Sequence, residues 1–463
     1  MPMKRRSIVL AGLLAGWLSG TGLVPAEAMT LEEALALTYE TNPGLLAARA
    51  QLRAVDENVS QARASWRPNV SSSLSLGVTD QNTKTRGVTT TDDSSFPRTG
   101  NLSVSQALYS GGAFGAAIAG AEADVQAQRA NLFNSEQETL LQAVTAYVNV
   151  LREQATLELQ VNNLTRLQKQ LEATRDRFRV GEVTRTDVAQ AEARVSRARS
   201  DRTQAEGNLI TARVAFERIV GQVPGSVETP GTPAGLPTGR DEAVDIAVRE
   251  NFTLVEAKFT ELSARHAVEE AEAGLMPTLD LIGQAQKTYD TSGGDNETTS
   301  LSAELQLTIP IYQQGTEYSS IRQTKETANR ARLLVDNTRR AVVDSAASAF
   351  EAYQTALARI ESLKAEVKSS EIALEGVQQE ATVGARTVLD VLDAEQELLD
   401  GQVNLVQAQR DATVASYQLL QALGRLTAQD LNLPVQVYDY DSHYVDVSGK
   451  LWGTEPPGRM PGN

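Results

Sequence analysis

Two hydrophobic periods take turns along the chain, and each predicts a different element. Val150, Leu157, Leu164, Leu171 and Phe178 recur every seven positions, and Tyr353, Ile360, Val367 and Leu374 keep the same phase farther on. After a Val-Gly pair in each stretch the sevens resume as Val188, Val195, Leu209 and Phe216, and again as Val391, Leu398, Leu405, Ala412 and Leu419. Only Arg202 interrupts the set. Three residues further on runs a stripe of small residues: Ala191, Ala198, Ala205 and Ala212 in one stretch, Ala394, Gly401, Ala408 and Ala415 in the other. Larger side chains at one core position and small ones at the next let two helices approach closely as a coiled-coil hairpin. The helical pattern from about Phe114 to Phe178 spans roughly 100 Å at 1.5 Å per residue, so the sequence predicts a rod.

A period of two marks the strands. Leu301, Ala303, Leu305, Leu307 and Ile309 alternate with Ser302, Glu304, Gln306 and Thr308, which gives one apolar and one polar face. Val70, Leu74, Leu76 and Val78 do the same more weakly, as do Leu102, Val104 and Leu108, and Leu279 and Leu281 start a fourth segment. An open sheet of four such strands leaves edge amides and carbonyls unsatisfied in lipid. Outer-membrane barrels begin at about eight strands, and three chains would supply about twelve.

The chain is one unit written twice. "TNPGLLAARAQL" from Thr41 answers "ENFTLVEAKFTEL" from Glu250, and "VGEVTRTDVAQAEARV" from Val180 answers "VGARTVLDVLDAEQEL" from Val383. The spacing between copies is 209 residues before the strands and 203 after them. The difference is expected in the loop from Asp80 to Arg98, which is longer than its counterpart from Asp290 to Thr299. The expected division is a signal peptide (1–28), a first structural repeat (29–224), a second repeat (225–430) and a C-terminal periplasmic tail (431–463). Each repeat holds a helix, a β-hairpin and a long helical hairpin, so the fold class is mainly α with a small β part. The Pro- and Gly-rich stretch from Pro224 to Gly239 joins the halves, and the sequence leaves open whether the tail packs on the rod or stays loose.

Export changes the reading of the composition. Lys4, Arg5 and Arg6 precede an apolar run from Ile8 to Val24, and Ala26-Glu27-Ala28 offers small residues to a signal peptidase, leaving Met29 as the new N-terminus. A net charge of −16 argues against nucleic acid as a partner. With no cysteine the chain has no disulfide and no cysteine-borne lipid. No later segment reaches the length of a transmembrane helix. His266 and His443 are too few and too far apart for a metal site, no phosphate-binding Gly-rich loop with Lys is present, and no cofactor is expected. Asp390 and Asp393 lack the setting of a catalytic acid and base, so the chain reads as no enzyme.

The residues now carry a resemblance. The twofold repeat, the Asn42-Pro43 helix start, the "LYSGG" and "IYQQG" strand-to-helix corners, and above all "RFRVGEVTRTDV" and "VGARTVLDVLDA" are similar to the TolC family of outer-membrane channel-tunnel proteins, close to its TolC subgroup. The resemblance covers nearly the whole chain beyond the signal. It implies a homotrimer whose twelve-stranded β-barrel, in contact with outer-membrane lipid, continues into an α-barrel across the periplasm. The implied partners are a periplasmic adaptor (membrane fusion) protein and an inner-membrane ABC or proton-driven transporter. The implied function is a passive exit duct for efflux of small molecules, type I protein secretion, or both, gated at its periplasmic tip.

Within that resemblance the two turns acquire roles. Val180, Gly181, Val183, Val383 and Gly384 are the expected adaptor docking residues, the alternative being plain hairpin turns. Asp390 and Asp393, three apart on one helix face, match the pore constriction, where the first copy has Asp187 and Gln190. Six such carboxylates around an axis would attract cations and push some of their own pKa values up; a solvated acidic face is the alternative. Thr186, Asp187 and Arg386 match the linkage that ties neighbouring hairpins shut, although Ala381 stands where the family has a linking Tyr. A second function class stays open, a periplasmic coiled-coil adaptor or scaffold outside the membrane, which would not need the apolar-faced hairpins.

Overall fold

The computed structural model describes residues 29–85, 88–290 and 296–455; the expected signal peptide lies outside them. The first half runs α1 (Leu31–Thr41), α2 (Pro43–Ala64), β1 (Asn69–Leu76), β2 (Thr79–Thr85), β3 (Val88–Ser95), β4 (Arg98–Tyr109), α3 (Ala113–Arg179) and α4 (Arg185–Val220). The second runs α5 (Arg240–Glu250), α6 (Phe252–Ala273), β5 (Thr278–Tyr289), β6 (Glu297–Thr308), α7 (Thr316–Thr382) and α8 (Val388–Leu423), and α9 (Ser442–Ser448) follows. Apart from β2 and β3 the order repeats.

The sevens behave as the spacing predicts. α3 and α7 are 67 residues each, or about 100 Å long. α4 packs along α3 and α8 along α7. Val150, Leu164, Val195, Leu209 and Phe216 are buried in the first hairpin, and Ala191, Ala198 and Ala205 lie buried beside them. In the second hairpin Leu374, Val391, Leu398 and Leu419 are buried with Ala408 and Ala415. Toward the strands, the 22-residue helices α2 and α6 take over the places of α4 and α8.

Asparagine makes each of these splices. The Asn42 side chain accepts hydrogen bonds from the N–H groups of Gly44 (2.9 Å) and Leu45 (3.3 Å), capping α2, and its Nδ2 donates to the Ile219 carbonyl at the end of α4 (2.9 Å). Asn251 caps α6 in the same way and donates to the Ala422 carbonyl at the end of α8 (3.0 Å). One residue thus satisfies the orphan donors of one helix and an orphan acceptor of another. The body is a layer of four columns in the order α2/α4, α3, α6/α8, α7.

The strands continue this layer. The sheet order is β1-β4-β5-β6, fully antiparallel, so each strand sits at the end of one column. Its register gathers Val70, Val104, Gly283 and Ala303 into one cross-strand row and Leu281 and Leu305 into another. Ser71, Ser103, Gln284 and Ser302 fall on the opposite face. The apolar face is uncovered in the single chain: Leu74 is 76% and Leu301 86% exposed. Among the described residues β1 and β6 each keep one edge without a strand partner, and no helix is long and apolar enough to cross a membrane.

The stretch expected as a loop from Asp80 to Arg98 is corrected in part. β2 and β3 pair as a two-stranded ribbon of their own. The Thr residues that read as a polar loop are β-branched, and an isolated polar ribbon pairs through its backbone without an apolar face to announce it.

A collar of α1, α5, the connection between the halves and the C-terminal segment wraps the middle of the layer. The buried Tyr147 hydroxyl lies 2.7 Å from the Met29 carbonyl and 2.8 Å from that of Glu228, and accepts the Glu228 N–H (3.0 Å). The described part of the tail packs on α2 rather than staying loose. His443 Nδ1 meets Asp56 Oδ2 at 3.0 Å with both residues buried, Arg129 pairs with Asp441 and stacks on Tyr440 and Tyr444, and Arg63 and Arg67 donate to the carbonyls of Ser448 and Lys450.

Glu136 of α3, buried under this collar, accepts the Ala428 N–H at 2.7 Å. Burial pushes its carboxyl up to about 7, against the opposing pull of that hydrogen bond and of Arg49. A carboxyl raised on folding contributes stability at low pH, and that contribution is lost as pH rises through its folded value. Glu136→Gln should therefore raise stability at pH 8 by about 1–2 kcal/mol and leave it nearly unchanged at pH 5. Thermal unfolding followed by circular dichroism at both pH values checks this, and an equal loss at both would contradict it.

Candidate functional site: the two hairpin tips

The repeated phrase is a helix stop followed by a helix start. α3 ends at Arg179 and α7 at Thr382, and Gly181 (φ +82°) and Gly384 (φ +79°) take the left-handed conformation that turns the chain back. The N–H of Glu182 then reaches the Arg177 carbonyl, and that of Ala385 the Glu380 carbonyl, both at 2.9 Å, a closure that glycine makes possible. Thr184 and Thr387 follow as N-caps. The Asp187 N–H donates to the Thr184 hydroxyl (3.3 Å) and the Thr184 N–H to the Asp187 carboxylate (2.8 Å); Thr387 and Asp390 repeat this pair at 3.3 and 2.9 Å. Gly, Thr and Asp thus keep their places because each satisfies a backbone requirement of the bend.

The expected docking residues divide. Val180 and Val383 are 72% and 80% exposed, and Gly181 and Gly384 are exposed beside them. Val183 instead packs against a cluster of Leu164, Leu167, Val195, Ala198, Val388 and Leu392. That cluster joins the two hairpins: the first turns of α8 sit against the groove between α3 and α4, with Leu392 only 2% exposed.

The two expected constriction acids have different attachments. The Asp390 carboxylate accepts the Thr387 N–H and hydroxyl, and these bonds, helped by Arg386, hold it below its ordinary value. Crowding was expected to push pKa values up; within one chain the helix cap acts in the opposite direction. Asp393 is exposed and forms an ion pair at 2.5 Å with Arg194 of the other hairpin. The gate residues do not meet within one chain: Arg386 Nε bonds to Glu380 Oε2 at 2.8 Å, while Asp187 caps its own helix and Thr186 is exposed beside it. Sequence reasoning missed Arg194 and Glu380. The signal for Arg194 was a charge mismatch between the copies, since its counterpart 203 residues on is Glu397. Among the described residues no group of three His, Cys, Asp or Glu is placed to hold a metal ion.

A family model of outer membrane efflux proteins matches residues 34–222 and 243–425, one segment in each repeat. The outer membrane efflux protein BepC of Brucella suis is 35% identical over 98% of this chain and 97% of its own length. The outer membrane protein TolC of Vibrio cholerae is 27% identical over 85% of this chain and 90% of its own. The solved channel CusC superposes with a TM-score of 0.76 at 16% identity, covering 85% of this chain and 91% of that one, which is a likeness of fold. Proteins of this family and fold are outer-membrane channels with a helical periplasmic part. The chain belongs to the outer membrane efflux protein family.

An added methyl at Gly181 or Gly384 would meet nothing within 4 Å, so the cost of Ala there is purely conformational, about 1 kcal/mol each. Gly181→Ala and Gly384→Ala should speed protease cleavage at the tips, and the Asn variants, which tolerate this conformation better, should do so less. Equal cleavage of Gly, Ala and Asn forms would remove the conformational argument.

Proposed function

We propose that the chain is the exit duct of an efflux system, assembled as a homotrimer whose twelve strands close a barrel in the outer membrane. The observation that carries this reading is the four-stranded sheet with its apolar face uncovered and both outer edges bare. Such a sheet is viable in lipid only when copies of it complete a barrel. The strands β4, β5 and β6, at 12 residues each, are long enough to cross. A periplasmic scaffold has no use for this face, which disfavours that alternative.

In this reading the helical layers close into a tunnel below the barrel, and an inner-membrane ABC or proton-driven transporter supplies the energy. A periplasmic adaptor protein docks on the exposed tips at Val180, Gly181, Val383 and Gly384, with Val183 supporting them from the cluster beneath. Asp390 and Asp393 line the constriction. Arg386 reaches Thr186 and Asp187 of an adjoining hairpin in the closed assembly, exchanging Glu380 for them. The cargo is small molecules, proteins of type I secretion, or both: loss of the gene should raise drug sensitivity in the first case and abolish protein secretion in the second.

The purified protein in detergent should be a trimer, and a stable monomer inserted in bilayers would overturn the architecture. Leu305→Arg, on the apolar face, should cost about 2–4 kcal/mol if it lies near the midplane, and Gln306→Arg, on the opposite face, much less. Comparing assembled trimer yields and unfolding of the two variants checks the assignment of faces.

Replacing both Asp390 and Asp393 by Ala should lower the cation-to-anion permeability ratio and weaken block by multivalent cations, with a larger effect than changing Gln190. Reversal potentials in planar bilayers measure this independently of how often the channel opens. An unaltered ratio in a correctly inserted double variant would return the pair to a solvated surface.

A further inference from the structure

The two hairpins of one chain do not meet as equals. The second inserts: Val388 and Leu392 of α8 bury themselves against Leu164 and Leu167 of α3 and Val195 and Ala198 of α4. At the rim of this seat Arg194 of α4 holds Asp393 of α8. Deeper in the seat Glu395 is 4% exposed, and the positive charge of Arg166 on α3 opposes the effect of its burial.

Swapping roles between the copies shows what each contact specifies. The residues that would insert from the first hairpin are Arg185 and Ala189 in place of Val388 and Leu392. The groove they would meet has Ser370 in place of Leu167. At the rim Gln190 would face Glu397 where Asp393 faces Arg194, and Ser369 would stand in the place of Arg166. The swapped arrangement keeps Val367, Leu398 and Gly401 in the groove but loses the two large apolar inserting side chains, the place of Leu167 and both charge complements at once. An internal repeat begins with two interchangeable hairpins, and these substitutions remove the interchangeability.

We infer that Arg194 is a positioning residue that ties Asp393 into the groove of the first hairpin, so that the second hairpin alone seats there and the mouth is held closed. This rests on the proposal that the tips form the gated mouth of a duct, and it adds a link within each chain to the linkage between hairpins at Thr186, Asp187 and Arg386. It also explains why the second copy carries an acid at Asp393 where the first has Gln190. Asp390 and Asp187 both cap helices, whereas Asp393 has no capping duty and is spent on the tie. While tied, it presents a paired charge to the mouth; when the hairpin leaves its seat, the carboxylate is freed and an Arg is exposed beside it.

The pair is half exposed, with side chains 27% and 56% accessible, so breaking one tie shifts the closed-to-open balance by roughly two- to fivefold. Three ties lost together should shift it by about tenfold or more. Arg194→Asp in the full-length protein should raise the open fraction in planar bilayers by this amount, and Arg194→Asp combined with Asp393→Arg should bring it back to within about twofold of the original. Loss of a merely structural residue would not be rescued by exchanging the charges. The chain has no cysteine, so Arg194→Cys with Asp393→Cys gives a single possible disulfide within each chain. Mild oxidation should form it and suppress conductance, and reductant should restore conductance. No rescue by the charge swap, or a disulfide that leaves conductance unchanged, would each overturn the tie. Asp390→Asn removes the charge, keeps an oxygen to accept the Thr387 N–H at the start of α8, and reads the constriction separately. Unchanged selectivity there, with the swap still rescuing the gate, sinks the constriction reading while the tie stands.

Discussion

Backbone amides and carbonyls along the outer edges of a sheet need partners, and in lipid no water supplies them. Everything else in this chain is arranged around that requirement. The sheet ends at β1 and β6, and the helical layer ends on the same two sides, at α2/α4 and at α7. Ile210 and Val214 stand exposed on α4, and Leu333, Leu334 and Ile372 on α7. A single chain thus leaves open sides in both its β and its α part, and in the proposed trimer one lateral association serves both. The agreement of strand order with column order would let the proposed barrel pass without a break into a tunnel.

Doubling the unit solves the wall but creates a difficulty at its middle, where one long helix must be matched by two shorter ones. Asn42 and Asn251 handle the joints by capping one helix and closing the carbonyl end of another. The bidentate Arg425–Glu250 pair (2.7 and 3.1 Å) adds a second clamp where α8 meets α6. The collar then covers the joints from outside, with Tyr147 and Glu136 as buried polar anchors. The C-terminal strap is held on α2 mainly by polar contacts, among them the buried His443–Asp56 pair. Truncating one member of such a pair leaves the other unpaired in a dry site, which is why these contacts specify the path of the tail.

At the opposite end the same duplication has been broken on purpose. The turn chemistry is kept in both copies because a hairpin bend needs it in both. The residues just beyond the bend differ because only one hairpin inserts into the other. Apolar side chains at Val388 and Leu392 supply most of the seat, while the charges at Arg194 and Asp393 select the partner. Exposed pairs are weak enough for the proposed docking protein to undo, as the proposed regulated mouth would demand.

The sequence by itself determined what depends on local period and local hydrogen bonding. The sevens of Val150 to Phe178 became a helix, the alternation from Leu301 became a strand, and Gly, Thr and Asp at each turn became a cap and a capping box. Each of these is decided within a few residues, so one copy of the pattern is legible without the rest. The apolar face of the sheet was legible too, since a period of two leaves only two possible registers for a strand. Only the tertiary structure decided the ribbon of β2 and β3, the strapping of the tail, the pairing of Arg386 with Glu380 and that of Arg194 with Asp393. The last of these joins residues 199 positions apart on two rigid hairpins. Whether such side chains meet depends on how one hairpin is rotated in the groove of the other, and a rotation between rigid bodies leaves no periodic trace along either chain segment.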